Sequence, residues 1–384
     1  MEAPDLIAEA ERQLTVCNAC RYCEGYCAVF PAIESRRTFA LADVEQIANL
    51  CHDCRDCFYA CQYAPPHEFA INLPKVFAEV RQETYAHHAR PRAAARVLGR
   101  SAAAWPLAAL LALVVGLVAT LASVGGALGS VHTGPGAFYE IVPELFMEVL
   151  FSVLGLFWLV SWLGSAMRFW RATQGGGPHA AASLPALLRA MGDALMLRYL
   201  GGGGQGCTYP GQQFSQARRV LHHLVAYGFA LDLASTALAA FYDHVLGIPA
   251  PYPFLSPVVL LGTLGGIGIV IGSAGLLLLR TQADAGPTSR TAVRKDSAFL
   301  ASLLLVAATG LLLLSLRDTI LMGTLLIVHL STVFALFVTA PYGKFVHLVY
   351  RFVALVRHAA ERGRGADASH RRDRAASPGA DRKA

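Results

Sequence analysis

The chain has 384 residues, of which 55% are hydrophobic and only 15% charged, and its mean hydropathy is +0.45. This composition excludes an ordinary soluble protein of this length and favours a polytopic membrane protein. The formal net charge of +6 comes partly from loops and the C-terminal tail, so it does not indicate a nucleic-acid-binding protein.

The N-terminal segment, residues 1–88, is predicted to form a cytoplasmic, helical module. It opens with the acidic stretch MEAPDLIAEAERQ, which lacks the apolar core of a secretory signal peptide. Eight of the nine cysteines lie within the first 61 residues. In a reducing compartment, metal ligation explains such cysteines better than disulfides do. Apolar residues at helical spacing between the cysteine runs, without an alternating strand pattern, predict helices with the cysteines in loops between them.

The eight cysteines form two runs with the same spacing, C-x2-C-x2-C-x3-C. This is the spacing of bacterial two-cluster ferredoxins, in which the fourth cysteine of each run binds the other [4Fe-4S] cluster. Structural zinc is the alternative, but it favours paired C-x2-C knuckles. Ala28 and Gln62 stand where ferredoxins have proline, so the crosswise exchange is supported less strongly than the clusters. The predicted sets are Cys17, Cys20, Cys23 and Cys61 for cluster 1, and Cys51, Cys54, Cys57 and Cys27 for cluster 2.

Residues 89–357 are predicted to form a domain of six transmembrane helices, because six apolar segments approach the roughly 20 residues that cross a bilayer. Arginine and lysine crowd the second-to-third and fourth-to-fifth connections, which places those connections and both termini in the cytoplasm. Residues 358–384 are predicted to be a disordered basic cytoplasmic tail. The predicted spans are 105–124, 144–167, 220–241, 257–279, 299–316 and 320–339.

Two further glycine-rich or cysteine-containing stretches are predicted to be structural. The stretch 262–275 lies inside the fourth span, so it is predicted to be a small-residue packing face and no dinucleotide loop. Residues 201–204 are predicted to be a linker, and Cys207, which stands alone after them, is predicted to be a loop thiol.

Four histidines in or near the membrane helices are candidate haem ligands, since ionisable side chains at such positions raise a functional hypothesis. His222 and His223 lie at the start of the third helix, and His347 follows the sixth helix. All three positions are near the cytoplasmic surface, which favours a bis-histidine haem b between the third and sixth helices. Arg218 and Arg219 are placed to meet its propionates. Interfacial histidines near lipid head groups are the alternative. The candidates are His222, His223, His329 and His347.

The number of haems depends on whether His329 is a ligand. It lies 18 residues before His347, which is five turns of a continuous helix, so both would lie on one face at two depths. Pro341 would kink such a helix. A second haem needs a partner for His329 from the third helix, where the sequence has Asp232 instead. The residues therefore favour one haem, and a hydrogen bond between His329 and a neighbour such as Asp232 is the alternative to ligation.

With both parts in place, the chain resembles the tricarballylate utilisation protein B family, also called the citrate utilisation B protein family. The residues that carry the resemblance are CNACRYCEGYC, CHDCRDCFYAC, RRVLHHLVAYGFALDLAST and TAPYGKFVHLVYR. Many electron carriers share the cysteine runs, whereas their linkage to a HHLVAYGF helix is more discriminating. The resemblance implies an all-α fold: an α-helical ferredoxin-like domain followed by a membrane domain similar to the cytochrome b subunit of respiratory nitrate reductase.

The resemblance also implies an electron-transfer subunit of the bacterial inner membrane with quinone reductase activity. It would reoxidise the reduced FAD of a separate cytoplasmic dehydrogenase of tricarballylate or citrate utilisation. The electrons would pass through two [4Fe-4S] clusters and haem b to the quinone pool. The residues by themselves support the same type of function, because they supply ligands for two clusters, where electrons would enter, and candidate ligands for a haem.

Two other functions stay open at this point. A quinol-oxidising subunit would send electrons the other way, to a cytoplasmic enzyme, as in the membrane component of heterodisulfide reductase. A redox sensor or membrane anchor is the third hypothesis, although two clusters and a haem-ligand pair exceed what either needs.

Overall fold

Helices and their connections make up almost all of the described chain, which confirms the predicted all-α fold class. The computed structural model describes residues 3–99, 101–174 and 181–376. Within these ranges, strands β1 (Cys207–Thr208) and β2 (Phe214–Ser215) form a short antiparallel hairpin. The α-helices are α1 Ala3–Cys20, α2 Val29–Glu34, α3 Leu41–Leu50, α4 Asp56–Tyr59, α5 Leu73–His88, α6 Arg92–Leu98, α7 Ala104–Val124, α8 Glu144–Thr173, α9 Leu184–Leu195, α10 Ala217–His244, α11 Pro257–Thr281, α12 Arg290–Leu316, α13 Met322–Thr339 and α14 His347–Ala376.

Six of these helices are long and apolar enough to cross a membrane, as predicted: α7, α8, α10, α11, α12 and α13. Several extend beyond the predicted spans, because a hydropathy criterion stops at the charged residues near helix ends. The third span was predicted at 220–241, whereas α10 begins at Ala217 and ends at His244. The extension brings Arg218 and Arg219 into the first turn of α10.

The glycine-rich stretch 262–275 is a helix-packing face of α11, as predicted. A Cβ atom on Gly265 would lie 2.7 Å from the carbonyl oxygen of Gly228 in α10. No side chain fits at that distance, so the two helices approach backbone to backbone. This contact holds α10, with its His222 and His223, closely against α11.

The chain does not continue as one helix from His329 to His347, and the kink predicted at Pro341 is a complete break. Helix α13 ends at Thr339, and a 3-10 turn at Lys344–Val346 precedes α14. Pro341 lies in this break, and its ring removes a backbone N–H and disfavours continuation of the helix. His347 is therefore the first residue of a new helix, and helical periodicity does not align it with His329.

The C-terminal helix α14 is part of the core of the N-terminal module. Buried residues of α14 share one apolar cluster with those of α1, α2, α3 and α5. Tyr350 stacks on Tyr85 of α5 with ring centroids 5.2 Å apart. The side-chain amide of Gln46 in α3 donates a 3.1 Å hydrogen bond to the carbonyl oxygen of Ala354. The last helix therefore joins the membrane domain to the module.

The predicted start of a disordered tail at residue 358 differs from the structure, in which α14 continues to Ala376. His358 is only 3% exposed, and Ala359 and Ala360 pack against Ala186 of α9. The charges of this segment are not all solvated, because some form buried ion pairs that the sequence does not reveal. Residues 377–384 of the predicted tail lie outside the described residues.

A buried ion-pair network ties the N-terminal module to α14. The guanidinium group of Arg36 lies 2.5 Å from a carboxylate oxygen of Asp43 and 2.9 Å from one of Glu361, and all three side chains are at most 7% exposed. Arg357 lies 2.9 Å from the same oxygen of Glu361. Glu361 thus neutralises two buried cations at the contact between the first and last parts of the chain.

We expect Glu361→Ala to loosen the contact between the module and α14. Removing one member of a buried ion-pair network leaves the other charges uncompensated, which costs about 3–5 kcal/mol. The measurement is the midpoint of thermal unfolding of the purified protein, together with the rate of proteolysis within the module. Glu11→Ala, which removes an exposed carboxylate of α1, serves as the control. Equal stability of both variants would contradict the prediction.

Candidate functional site

The eight cysteines of the two runs line two cavities in the N-terminal module. The cavities measure about 480 and 390 Å³, and Cys57 borders both. In each cavity the fourth cysteine of one run lies with cysteines of the other run, as in the predicted crosswise sets. The first cavity contains Cys17, Cys20, Cys23 and Cys61, and the second contains Cys27, Cys51, Cys54 and Cys57.

The spacing of the sulfur atoms argues against a zinc site. In the described part of the chain, the groups of three or more ligand atoms within 4.8 Å of one another consist of histidines and carboxylates and include no cysteine. Four thiolates on one zinc ion, with bonds of about 2.3 Å, would lie about 3.8 Å apart. The wider spacing here fits a larger inorganic core with an iron atom at each ligand.

The pKa values of two of these thiols are raised by burial and by neighbours that belong to the same cysteine set. Burial and, next, the Cys61 thiol raise the pKa of Cys17 to about 12. Burial and the neighbouring Cys51 thiol raise the pKa of Cys27 to about 12. Such thiols keep their protons at neutral pH unless a metal replaces them, so the cavities suit metal ligation better than nucleophilic chemistry.

The hairpin β1–β2, from the membrane domain, packs against the second cysteine run. Asp56, next to Cys57, accepts 2.8 Å hydrogen bonds from the backbone N–H and the hydroxyl group of Thr208. Cys207 was predicted to be a loop thiol, but it is fully buried in β1, and its Sγ donates to the carbonyl oxygen of Leu200 at 3.0 Å. The connection between α9 and α10 therefore holds the second cysteine set directly.

A larger cavity of about 1030 Å³ lies between the N-terminal module and the adjacent ends of the membrane helices. We call it the cationic cavity, because its charged lining contains six basic residues and two acidic ones. Apolar side chains of α11 and α12, including Phe299 and Leu300, form part of its wall. The charged residues are Arg55, Arg81, Arg218, Arg280, Lys344, Arg351, Asp53 and Asp296.

His222 of α10 and His347 of α14 lie opposite each other in the cationic cavity. Their ring centroids are 6.3 Å apart, and the ring planes are inclined by 79°. Two metal–imidazole bonds of about 2 Å, with roughly 1.1 Å from each nitrogen to its ring centre, would separate the centroids by about 6.2 Å. The observed spacing therefore fits two axial ligands of one haem iron.

Hydrogen bonding and burial prepare His347 for ligation. Its Nδ1 donates a 2.6 Å hydrogen bond to the carbonyl oxygen of Lys344, which leaves the lone pair of Nε2 free for a metal. Burial, aided by the charges of Lys344 and Arg351, lowers the pKa of His347 well below its usual range, so the ring is neutral. On the opposite side, Nδ1 of His222 is buried without a hydrogen-bond partner among the described residues.

Two arginines connect the histidine pair to the second cysteine set. Arg218, one turn before His222, donates to the carbonyl oxygen of Asp53. Arg351, one turn after His347, donates a 2.8 Å hydrogen bond to the carbonyl oxygen of Cys51. Both guanidinium groups lie in the cationic cavity, where they suit the carboxylates of a haem or another anionic ligand.

The other two candidate histidines stand apart from this pair. The ring of His223 packs on Tyr227, with centroids 5.5 Å apart. His329 forms a 3.1 Å hydrogen bond with the hydroxyl group of Thr309. This agrees with the alternative to ligation, a hydrogen bond to a neighbour, although the neighbour is Thr309 and not Asp232. Among the described residues, no histidine ring lies against His329 as His347 lies against His222.

Of the eight charged residues of the cationic cavity, only Arg218 was predicted from the sequence to belong to the site, and the others include Asp296, Lys344 and Arg351. Lys344 lies 3.0 Å from a carboxylate oxygen of Asp296, which also lies 3.5 Å from Arg280. The spacing of Lys344 and Arg351, one turn on either side of His347, is the signal that could have indicated the two cations. Nothing in the sequence pairs Lys344 with Asp296, since the break after α13 brings them together.

Comparison with known proteins covers both parts of the chain. Residues 10–87 match the family model of the citrate utilization protein B Fer4-like domain, and residues 96–368 match that of citrate utilization protein B. The chain is 46% identical over 364 residues to the citrate utilization protein B of Escherichia coli, which covers 94% of each chain. No solved structure matches the chain.

Proposed function

Because the chain belongs to the citrate utilization protein B family, we propose that it is a membrane-bound electron-transfer protein. It reoxidises the reduced FAD of a separate dehydrogenase of tricarballylate or citrate utilisation. It passes the electrons through two [4Fe-4S] clusters and haem b to the membrane quinone pool. The observation that carries this proposal is the succession of two cysteine cavities, which share Cys57, and a cationic cavity with a histidine pair, whose Arg351 donates a hydrogen bond to the carbonyl oxygen of Cys51.

The two cysteine sets are the proposed ligands of the clusters, which supply one-electron transfer when bound. Cluster 1 is held by the set that includes Cys17 and Cys61, and cluster 2 by the set that includes Cys27 and Cys51. Arg351, which donates to the carbonyl oxygen of Cys51, lines the cationic cavity. Cluster 2 is therefore the one adjacent to the membrane helices, and cluster 1 is the entry point from the partner flavin.

His222 and His347 are the residues that would hold one haem b, which would supply a second kind of one-electron centre. Their centroid spacing of 6.3 Å supports this assignment over one that uses His223. Arg218 and Arg351 suit the two propionates. A haem at His329 is not part of the proposal, because its hydrogen bond to Thr309 explains this residue.

A bacterial inner-membrane location with both termini in the cytoplasm goes with this function. The arginine-rich connections α9–α10 and α11–α12 both contact the N-terminal module. This supports a position of the module and both connections on the same side of the membrane. In one, Thr208 binds Asp56 of the module. In the other, Arg55 of the module donates a 3.2 Å hydrogen bond to the carbonyl oxygen of Asp284. By the positive-inside rule, that side faces the cytoplasm.

The first test is the cofactor content of the detergent-purified protein. Two [4Fe-4S] clusters and one haem predict about nine iron atoms and about eight acid-labile sulfides per chain. The optical and EPR spectra should show reduced clusters and a low-spin bis-histidine haem b. The same preparation should then carry electrons from a reduced flavin dehydrogenase to a quinone. Zinc in place of iron, or no haem, would contradict the proposal and leave a membrane protein with a metal-stabilised cap.

A further inference from the structure

A second cavity, of about 490 Å³, lies in the membrane domain close to the cationic cavity. It is enclosed by the start of α7, the start of α12 and the connection between α13 and α14. Phe299 and Lys344 line both cavities, so the two are direct neighbours. Much of the wall is apolar, and its apolar side chains include Leu98, Ala298, Leu336 and Phe345. A largely apolar lining with a few polar groups is typical of a small-molecule site.

Trp105 lines this second cavity and has a hydrogen-bond donor that the described residues leave without a partner. Its indole Nε1 is buried and has no hydrogen-bond partner among the described residues, although the N–H of a buried indole usually finds one. Trp105 lies in the first turn of α7, where the first membrane span begins. A ligand that reached this donor would lie at the boundary of the hydrocarbon core, within reach of lipid-soluble molecules.

The other polar groups of the wall are largely occupied. The hydroxyl group of Ser302 donates to the carbonyl oxygen of Phe299 at 2.7 Å, and that of Thr339 donates to Ala335 at 2.7 Å. Lys344 keeps further N–H donors beyond its 3.0 Å contact with Asp296, because an ammonium group has three. The wall, which also includes Lys295, therefore combines an apolar surface with donors at Trp105 and Lys344, and this combination favours a ligand with carbonyl oxygens.

From these contacts we infer that the second cavity binds the quinone head group, with the indole N–H of Trp105 donating to one quinone carbonyl. This inference rests on the proposed function, which requires a quinone near the end of the electron path. Reduction to the quinol consumes two electrons, which arrive from the N-terminal module, and two protons, which come from water on the module side. The shared wall at Lys344 and Phe299 places the bound ring directly beside the cationic cavity.

Two substitutions test the site by different routes. Ala298→Leu fills the cavity, and we expect it to weaken binding of a short-chain benzoquinone on the order of 10-fold. Trp105→Phe keeps the ring and removes the donor, and we expect roughly a 5-fold loss, the typical effect of one neutral hydrogen bond. Binding is measured by equilibrium dialysis of the oxidised benzoquinone against the full chain with its cofactors, and the KM for the same quinone is measured separately.

Matched controls separate a binding effect from general damage. Trp170→Phe removes an indole from α8 away from this cavity, and Ala119→Leu enlarges a lipid-exposed position of α7. Both should bind the benzoquinone as the wild type does. All four variants should retain the wild-type iron, sulfide and haem content, since none alters a proposed ligand.

The outcomes distinguish the site from the function. Unchanged binding in both Ala298→Leu and Trp105→Phe would overturn the site, and a lipid acyl chain would then be the natural occupant of the cavity. In that case quinone reduction by the wild type would still support the proposed function. A wild-type protein with full cofactor content that neither binds nor reduces a quinone would overturn both.

Discussion

Replacing Cys57 by serine should abolish electron flow from the partner dehydrogenase to the quinone. Cys57 borders both cysteine cavities and is a proposed ligand of cluster 2, the cluster adjacent to the membrane helices. A hard hydroxyl is a poor substitute for a thiolate on iron, so we expect cluster 2 to be lost and the flux to fall by at least about 100-fold. The loss is measured as the EPR signal and the acid-labile sulfide per chain, alongside quinone reduction.

Cys207→Ser is the matched control for this prediction. Cys207 is more deeply buried than the cluster cysteines and lies in the hairpin against the second run, but it belongs to neither predicted set. We expect this variant to keep both clusters and most of the flux. Full flux in Cys57→Ser would show that the clusters are not on the electron path, and a sensory role would then be the better account.

Removal of either proposed axial histidine should remove the haem. We expect His222→Gly and His347→Gly to lose the low-spin haem spectrum and at least about 90% of the bound haem, because one imidazole holds a haem b much less firmly than two. Added imidazole should restore the spectrum in part, since the substitution leaves a space of the same shape. The optical spectrum, EPR and haem per chain are measured with and without imidazole.

His223→Gly tests the choice between adjacent histidines. Its ring packs on Tyr227 and lies outside the ring pair, so we expect haem content and spectrum to match the wild type. Loss of haem in His223→Gly with retention in His222→Gly would reverse the assignment. Retention in both would direct the search for the ligand away from α10.

The parts of the fold that depend on local pattern could be predicted from the sequence. Six apolar segments of the right length indicated the six spans, because crossing a bilayer imposes a length and a composition. The glycines at 262–275 indicated a packing face for the same kind of reason, since only a small residue such as Gly265 tolerates a neighbouring backbone. The cysteine spacing indicated the two sets, which the structure gathers in two cavities.

The parts that depend on distant contacts could not be predicted in this way. His222 and His223 are indistinguishable by position in the sequence, and only the direction of each side chain on α10 separates them. The break at Pro341 invalidated the helical alignment of His329 with His347. The charges after residue 358 suggested a solvated tail, because a sequence does not show that Arg36 supplies a buried partner for Glu361.

The contact between Arg36 and Glu361 spans 325 residues of sequence, and it bears on the order in which the protein is made. The module that emerges first from the ribosome lacks α14, and with it Tyr350 and Ala354 of its own core, until all six spans have been synthesised. The apolar core of the module is therefore completed only after the last membrane span has been synthesised, so final packing of the first domain depends on the last helix of the described chain.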